Sequence, residues 1–333
     1  MPKSEPQFII PFAKPSGITS FTSLWQVKHT LGTKKVGHTG TLDSFADGLL
    51  VLLSGKLTKL VPYITDFDKT YRVLFYFGKE TDTLDPEGTV IGEKPLPVYA
   101  DVVSAIRQLT GTIEQVPPVY SAVKQAGERL SDRIRRGETV TVPPRTVTIY
   151  SIDIEEIFYA PEPDTNRENP EMSAVRKVLG AVLCVRCSKG TYIRSLVRDI
   201  AHRCGSAAYV YALRRTAVGP FTLEQAAGCS VLPPFGSAAA GMESVPYSVT
   251  EEEIKRVALP LSEEIARAMH FQTAVLKEQY YAAFMNGKPI SGHWFTSAQP
   301  LSDDGTTAVF YEGRCAGLIT KNGSRFHYQI GNL

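Results

Sequence analysis

The 333-residue chain is 43% hydrophobic and 21% charged, the balance of a globular protein with one large domain or one domain and an appendage. No long uncharged apolar run is present, so no transmembrane helix is expected, and five cysteines, odd in number and irregularly spaced, argue against a disulfide framework. Net charge is only +2, yet residues 186–215 hold seven Lys/Arg and one acid, 120–145 six against three, and 153–172 seven acids and one Arg, so two basic segments suit a polyanionic partner.

The opening MPKSEPQFIIPFAKPSG has neither an apolar leader core nor a small-residue cleavage site, and a cytoplasmic protein is the expectation. Phe8 to Phe12 is a short apolar run stopped by a Lys14–Gly17 turn. Ser20 reads as the N-cap of a helix through Phe21, Leu24, Val27 and Leu31, closed by Gly32. The glycine-rich loop VGHTGTLDSFADG follows and runs into an apolar Leu49–Leu53 strand. A short helix is expected over 56–65, a strand over 69–79, a helix over 101–109 and a basic helical segment around 128–136. A strand at 146–158 leads to the acidic loop PEPDTNRENPEM, and a strand at 183–187 precedes a helix at 192–203. After LPPFGSAAAG, helical material runs to about residue 270, and three short strands, TAVFYE, RCAGLIT and RFHYQI, end the chain. The pattern predicts an α+β class, with a mixed, largely antiparallel sheet, flanking helices and a small β-rich C-terminal unit.

Several residues can carry chemistry. A lone aspartate such as Asp43 reads first as a turn or cap residue. Gly37, Gly40 and Gly48 around it permit close backbone approach to a ligand, and a carboxylate can attack a sugar carbon, which opens a catalytic reading. His38 reads as a surface histidine or as a group that fills the gap left by a flipped base. Tyr71 is a core strand aromatic or a stacking platform. In SKGTYIRSL, Arg194 either satisfies a helix or holds a carboxylate in its planar fork. Arg214 and Arg215 either grip phosphate or stabilise the core. Cys184 and Cys187 form a C-x-x-C within a strand, where residues three apart point to opposite faces, so buried small side chains are the better reading than a metal site.

Taken in order, KPSGITS, GHTGTLDSFADGLL, SGKLTK, KTYR, PPVYSAVKQAGERL, SKGTYIRSL and LRRTAVGPF closely resemble the TruB family of tRNA pseudouridine synthases, from about residue 8 to 222. The resemblance implies conversion of uridine 55 in the tRNA T-loop to pseudouridine, without metal or organic cofactor. It implies a catalytic domain over 1–268 with an RNA-gripping thumb at 120–145, and a PUA-like domain over 269–333. It places the nucleophile on Asp43, the active-site tyrosines on Tyr71 and Tyr192, the arginine paired with the nucleophile on Arg194, the loop histidine on His38 and the base-packing leucine on Leu213. Gly40, Thr41, Lys14, Lys59 and Arg215 are the further expected RNA contacts. A stand-alone monomer acting on tRNA without a guide RNA is the expected form, since no long basic tail is present.

The chain departs from the family pattern at Ser44, where proline is usual, and at Asp47, a carboxylate that must be paired or turned away from a polyanion. Three rival readings remain: a non-catalytic RNA-binding protein on the same scaffold, the same chemistry on another RNA, and a hydrolase using Asp43 with Asp47.

Overall fold

The computed structural model describes residues 5–120, 124–125, 128–129, 136, 142–161, 176–237, 248–297, 301–303 and 305–333. Most of the expected thumb and the acidic stretch from 162 to 172 therefore lie outside the described residues. The strands are β1 (Ile9–Lys14), β2 (Val36–His38), β3 (Asp47–Ser54), β4 (Lys69–Phe77), β5 (Lys79–Thr81), β6 (Val90–Glu93), β7 (Gly111–Gln115), β8 (Lys124–Gln125), β9 (Glu128–Arg129), β10 (Arg145–Tyr159), β11 (Val178–Cys187), β12 (Ala208–Val218) and β13 (Phe221–Thr222). Between them lie helices α1 (Leu24–Leu31), α2 (Val61–Thr65), α3 (Tyr99–Gln108) and α4 (Ile193–Arg203). Of the helical segment expected around 128–136, Glu128 and Arg129 form β9, which pairs with β8 as a short antiparallel ladder, and 130–135 lie outside the described residues.

The main sheet runs β1-β3-β12-β4-β11-β10-β7, with β2 added to β3 and β13 to β12. Every pairing is antiparallel except β3 with β12, which is parallel and touches only at Asp47 and Gly48. β3, DGLLVLLS, is buried along its whole length because both faces are covered. Leu49, Val51 and Leu53 enter one apolar cluster, and Leu50 and Leu52 another. β4 alternates: Tyr71, Val73, Phe75 and Phe77 face the core beneath α3 and α4, with Val102, Ile106, Leu196 and Ile200.

The central strand β12 is absent from the elements expected from sequence. Its Arg214-Arg215 pair masks the strand pattern, and the structure shows why both charges are tolerated there. Successive side chains point to opposite faces. Arg214 turns to one face and meets Asp47 side-on, with Nε to Oδ1 at 2.7 Å and Nη2 to Oδ2 at 2.6 Å. Arg215 turns to the other and is 1% exposed. Asp47 is thus a paired, buried carboxylate, and the Asp43–Asp47 hydrolase reading loses its second acid. Asp47→Ala leaves Arg214, whose side chain is 14% exposed, without its carboxylate. An expected loss of about 2–3 kcal/mol follows, and calorimetry should show Tm lowered by several degrees.

β3 shares its second edge. β2 pairs with Leu52–Ser54 and β12 only with Asp47 and Gly48, so the edge is split in between. Arg215 Nε donates to the Leu49 carbonyl at 2.8 Å, and Thr39 donates its backbone N–H (3.0 Å) and hydroxyl (3.2 Å) to the Val51 carbonyl. The loop 39–46 leaves the sheet through this split. Gly48 ends it at φ +106°, where a Cβ would collide with the Arg215 backbone, so only glycine lets β3 and β12 meet.

The second sheet follows α5 (Glu251–Val257) and α6 (Glu263–Ala268). Its order is β15-β14-β16-β17-β18, with β14 Gln272–Leu276, β15 Phe295–Thr296, β16 Thr306–Tyr311, β17 Arg314–Asn322 and β18 Arg325–Gly331. Phe271, Phe310, Leu318 and Ile330 are buried in the same cluster as Ile9, Leu49 and Val51, so the two sheets share one core rather than a bare linker. Lys56 also donates to the Gly331 carbonyl at 3.1 Å.

Among the described residues no helix is long and apolar enough to cross a membrane. Cys184 is half-buried, whereas Cys187 is buried on the other face of β11 with its thiol pushed by burial to about 12.

Candidate active site

The loop 39–46 is pinned from below. Ser20, expected as a helix cap, instead exchanges two hydrogen bonds with Leu42: its hydroxyl accepts from Leu42 N at 2.8 Å and donates to Leu42 O at 3.0 Å. The helix starts later, at Leu24, and Phe21 is 71% exposed rather than packed. Gly32 closes that helix in the left-handed region, as expected. Lys14 corrects another expectation. It is 0% exposed and cannot meet RNA; its ammonium donates to the carbonyls of Pro15 and Ile18 at 2.8 Å and of Ser44 at 3.3 Å. Burial lowers its pKa to about 8. Arg215 is likewise internal, and its Nη2 donates to Gly40 O at 3.2 Å, fixing the loop's hinge.

Asp43 sits at the tip of this loop, with 37% of its side chain exposed. The Arg194 guanidinium lies beside it. Nη2 donates to Oδ1 at 3.1 Å, and Nε is 3.0 Å from Oδ2, an ionic contact outside hydrogen-bond alignment. Arg194 begins α4 and is itself only 5% exposed. Its Nη1 donates to Asp85 Oδ2 (3.0 Å) and Thr83 O (2.8 Å), and Nη2, besides Asp43, donates to Tyr120 O (3.2 Å). The guanidinium is thus nearly buried and holds Asp43 at the cavity that both line.

Asp85 was not found by reading the sequence. TDTLDPEG reads as a turn, and its one signal is a second aspartate beside a proline. The structure buries it with Leu84, a residue at φ +62° that is rare for a bulky side chain. Burial raises the Asp85 pKa above the ordinary carboxylate range, while the Thr83 hydroxyl and Arg194 oppose that shift.

Asp43, Tyr71, Tyr192, Arg194, Leu213, Arg215, Gly40 and Thr41 all line one cavity of about 670 Å³. Tyr71 and Leu213 are 9% and 6% exposed, on adjacent strands β4 and β12. Burial raises the Tyr71 pKa, so its hydroxyl stays protonated. Tyr192 is fixed through its backbone: Gln115 accepts from its N–H at 2.8 Å and donates to its carbonyl at 3.1 Å. The Arg145 guanidinium lies 5.9 Å above the Tyr192 ring. Lys69 also lines the cavity, donating to Phe67 O at 2.6 Å and to Thr65 O at 2.5 Å.

His38 and Lys59 stand apart from the cavity lining. His38 is half-buried on β2, with Nδ1 enclosed and unpartnered. Burial, helped by Arg215, lowers its pKa, so the imidazole is neutral near pH 7. Lys59 is exposed on the 3₁₀ turn Gly55–Leu60. No cluster of metal-ligating side chains occurs among the described residues.

Comparison with known proteins agrees with this arrangement. A solved structure of an H/ACA RNP bound to a substrate RNA contains a chain that superposes with a TM-score of 0.62, over 98% of this chain and 85% of that one, at 19% identity, which speaks for the fold. The relative named tRNA pseudouridine synthase B from Treponema pallidum (strain Nichols) is 42% identical over 98% of this chain and 97% of its own. That of Treponema denticola is 41% identical over 97% and 98%. That of Pseudomonas fluorescens (strain Pf0-1) is 44% identical over 65% of both. The model of the TruB family pseudouridylate synthase N-terminal domain matches residues 28–193, which run from α1 through Asp43, Tyr71 and Asp85 to the residue before Arg194. A cavity built on a guanidinium-held aspartate, on this fold and with these relatives, places the chain in the TruB family of pseudouridylate synthases.

Proposed function

We propose that the chain isomerises uridine 55 in the T-loop of tRNA to pseudouridine, with Asp43 as the nucleophile. The observation that carries this reading is the carboxylate of Asp43, clasped by a buried arginine and presented to a cavity floored by Tyr71 and Leu213. The cavity lies within the range of about 300–1,000 Å³ that holds small ligands. The relatives named above bear the name tRNA pseudouridine synthase B, which supports pseudouridine formation in tRNA.

The reaction breaks the N1–C1′ bond, turns the uracil and joins C5 to C1′. The C5 hydrogen leaves as a proton, and N1 ends protonated, so no electron carrier enters the balance. A base within a folded RNA loop must be extruded first, at a cost of a few kcal/mol. Asp43 then attacks the nucleoside, and the Tyr71 ring stacks against the uracil. A neutral His38 is suited to fill space vacated by the everted base without adding charge. Lys59 and the backbone at Gly40 and Thr41 serve the phosphates and 2′-hydroxyls.

The test is an unmodified tRNA transcript tritiated at uracil C5, incubated with the protein in buffer alone. One equivalent of tritium released, with pseudouridine mapped to position 55, is the expected result. No release, or product at another uridine, overturns the reading. The non-catalytic alternative predicts tight tRNA binding with no release.

A further inference from the structure

The catalytic loop is held on its solvent side by a contact that the chemistry above does not use. The Ser44 hydroxyl, directly after Asp43, lies 2.8 and 2.9 Å from the two carboxylate oxygens of Glu87. Glu87 belongs to the strap joining β5 to β6, which also carries Asp85. The Glu87 backbone N–H donates to Asp85 Oδ1 at 3.1 Å, and the Thr83 hydroxyl donates to the same oxygen at 2.6 Å. The other Asp85 oxygen takes Arg194 at 3.0 Å, and Arg194 takes Asp43. The contacts close a ring: Asp43, Arg194, Asp85, Glu87, Ser44 and, through one peptide bond, Asp43 again.

Strap and loop are therefore linked twice, directly at Ser44–Glu87 and through Arg194 at Asp85 and Asp43. The strap is itself rigidly set: Val210 donates to Leu84 O at 3.0 Å, and Leu84 is buried in the left-handed region. The loop backbone has fixed points at Leu42, through Ser20, and at the Ser44 carbonyl, which accepts from Gly17 N at 2.8 Å and from Lys14. The Asp43 carbonyl accepts from Ala46 N at 3.3 Å, so the backbone is tied on the inner side, and the Ser44–Glu87 bond ties the segment on its solvent side.

We infer that Ser44 and Glu87 form a positioning latch that holds the Asp43 carboxylate at the angle from which it reaches the nucleoside. The inference rests on Asp43 as nucleophile and adds a partner pair to it. Glu87 is exposed, and its two carboxylate oxygens share the one proton of the Ser44 hydroxyl, a charge-assisted bond.

The test is a double-mutant cycle of Ser44→Ala and Glu87→Ala, read by single-turnover pseudouridine formation and by tRNA Kd. Each single variant is expected to be slower by about fivefold or more, since small misplacements of a reacting group cost rate steeply. Kd should stay within about twofold, because the lost interaction is not with RNA. The double variant should be no slower than either single, and Ser44→Thr, which keeps the hydroxyl, should match wild type. Multiplying effects, a change confined to Kd, or a Ser44→Thr as slow as Ser44→Ala would overturn the latch. Hydrogen exchange of the 40–46 amides, faster in each single variant and no faster in the double, reports the latch separately. An inactive wild type whose exchange obeys that cycle would refute the functional reading and leave the latch standing.

Discussion

Asp43→Asn is expected to abolish isomerisation while leaving the fold and most tRNA affinity intact. The amide has the shape of the carboxylate and can still accept the Arg194 Nη2 hydrogen bond. Arg194 also keeps its counter-charge in Asp85, so the substitution does not leave a buried cation alone. What disappears is the anion with an electron pair to give to the nucleoside. A rate at least about 10⁴-fold lower, some 5.4 kcal/mol of barrier, is the expected size. Single-turnover tritium release measures it, with filter binding to show that tRNA is still held. Turnover near wild type would remove Asp43 from the chemistry and return the chain to the RNA-binding reading.

The residues proposed for the chemistry were legible in the sequence, and those that hold them were largely not. Asp43, Tyr71, Tyr192, Arg194 and Leu213 stand in quotable stretches, and the structure gathers all five around one cavity. The same stretches mislead where a polar side chain faces inward. Lys14 and Arg215 look like phosphate ligands because cations are usually exposed. Here Lys14 sits beneath the loop on the carbonyls of Pro15, Ile18 and Ser44, and Arg215, buried at the cavity wall, donates to Gly40 O and to Leu49 O, which the split β3 edge leaves open. That split comes from pairing between β3 and β12 at Asp47 and Arg214, 167 residues apart in the chain, which no local pattern encodes. Ser20 failed for the same reason: its partner, Leu42, is remote, and a local capping rule claimed it first. Asp85 hid in a turn, since a turn aspartate and a buried counter-ion look alike until the guanidinium opposite is known. The outline of α+β architecture, by contrast, was readable from periodicity, because β4 and α4 each bury one regular face.

That reliance on remote partners makes Arg194→Lys the second decisive substitution. One guanidinium satisfies four groups, namely Asp43, Asp85, Thr83 O and Tyr120 O, from a side chain that is 5% exposed. An ammonium keeps the charge but has one nitrogen, which cannot stand within 3 Å of both carboxylates along the edges a planar fork offers. It will settle on one of them. If it goes to Asp85, Asp43 loses its orientation; if it goes to Asp43, Asp85 is left buried against the strap without a counter-charge. Either way the nucleophile is less often at its working angle. The single-turnover rate is expected to fall by about 100-fold, some 2.7 kcal/mol of barrier. tRNA affinity should change by no more than about threefold, because the Arg194 side chain is only 5% exposed and its Nη1 and Nη2 donors are taken up by protein acceptors. Adding Asp85→Asn to Arg194→Lys removes the competing anion, and the ammonium is then free to pair with Asp43, so part of the rate should return. A double variant slower than Arg194→Lys alone would show that Asp85 acts on the reaction other than through the arginine it anchors.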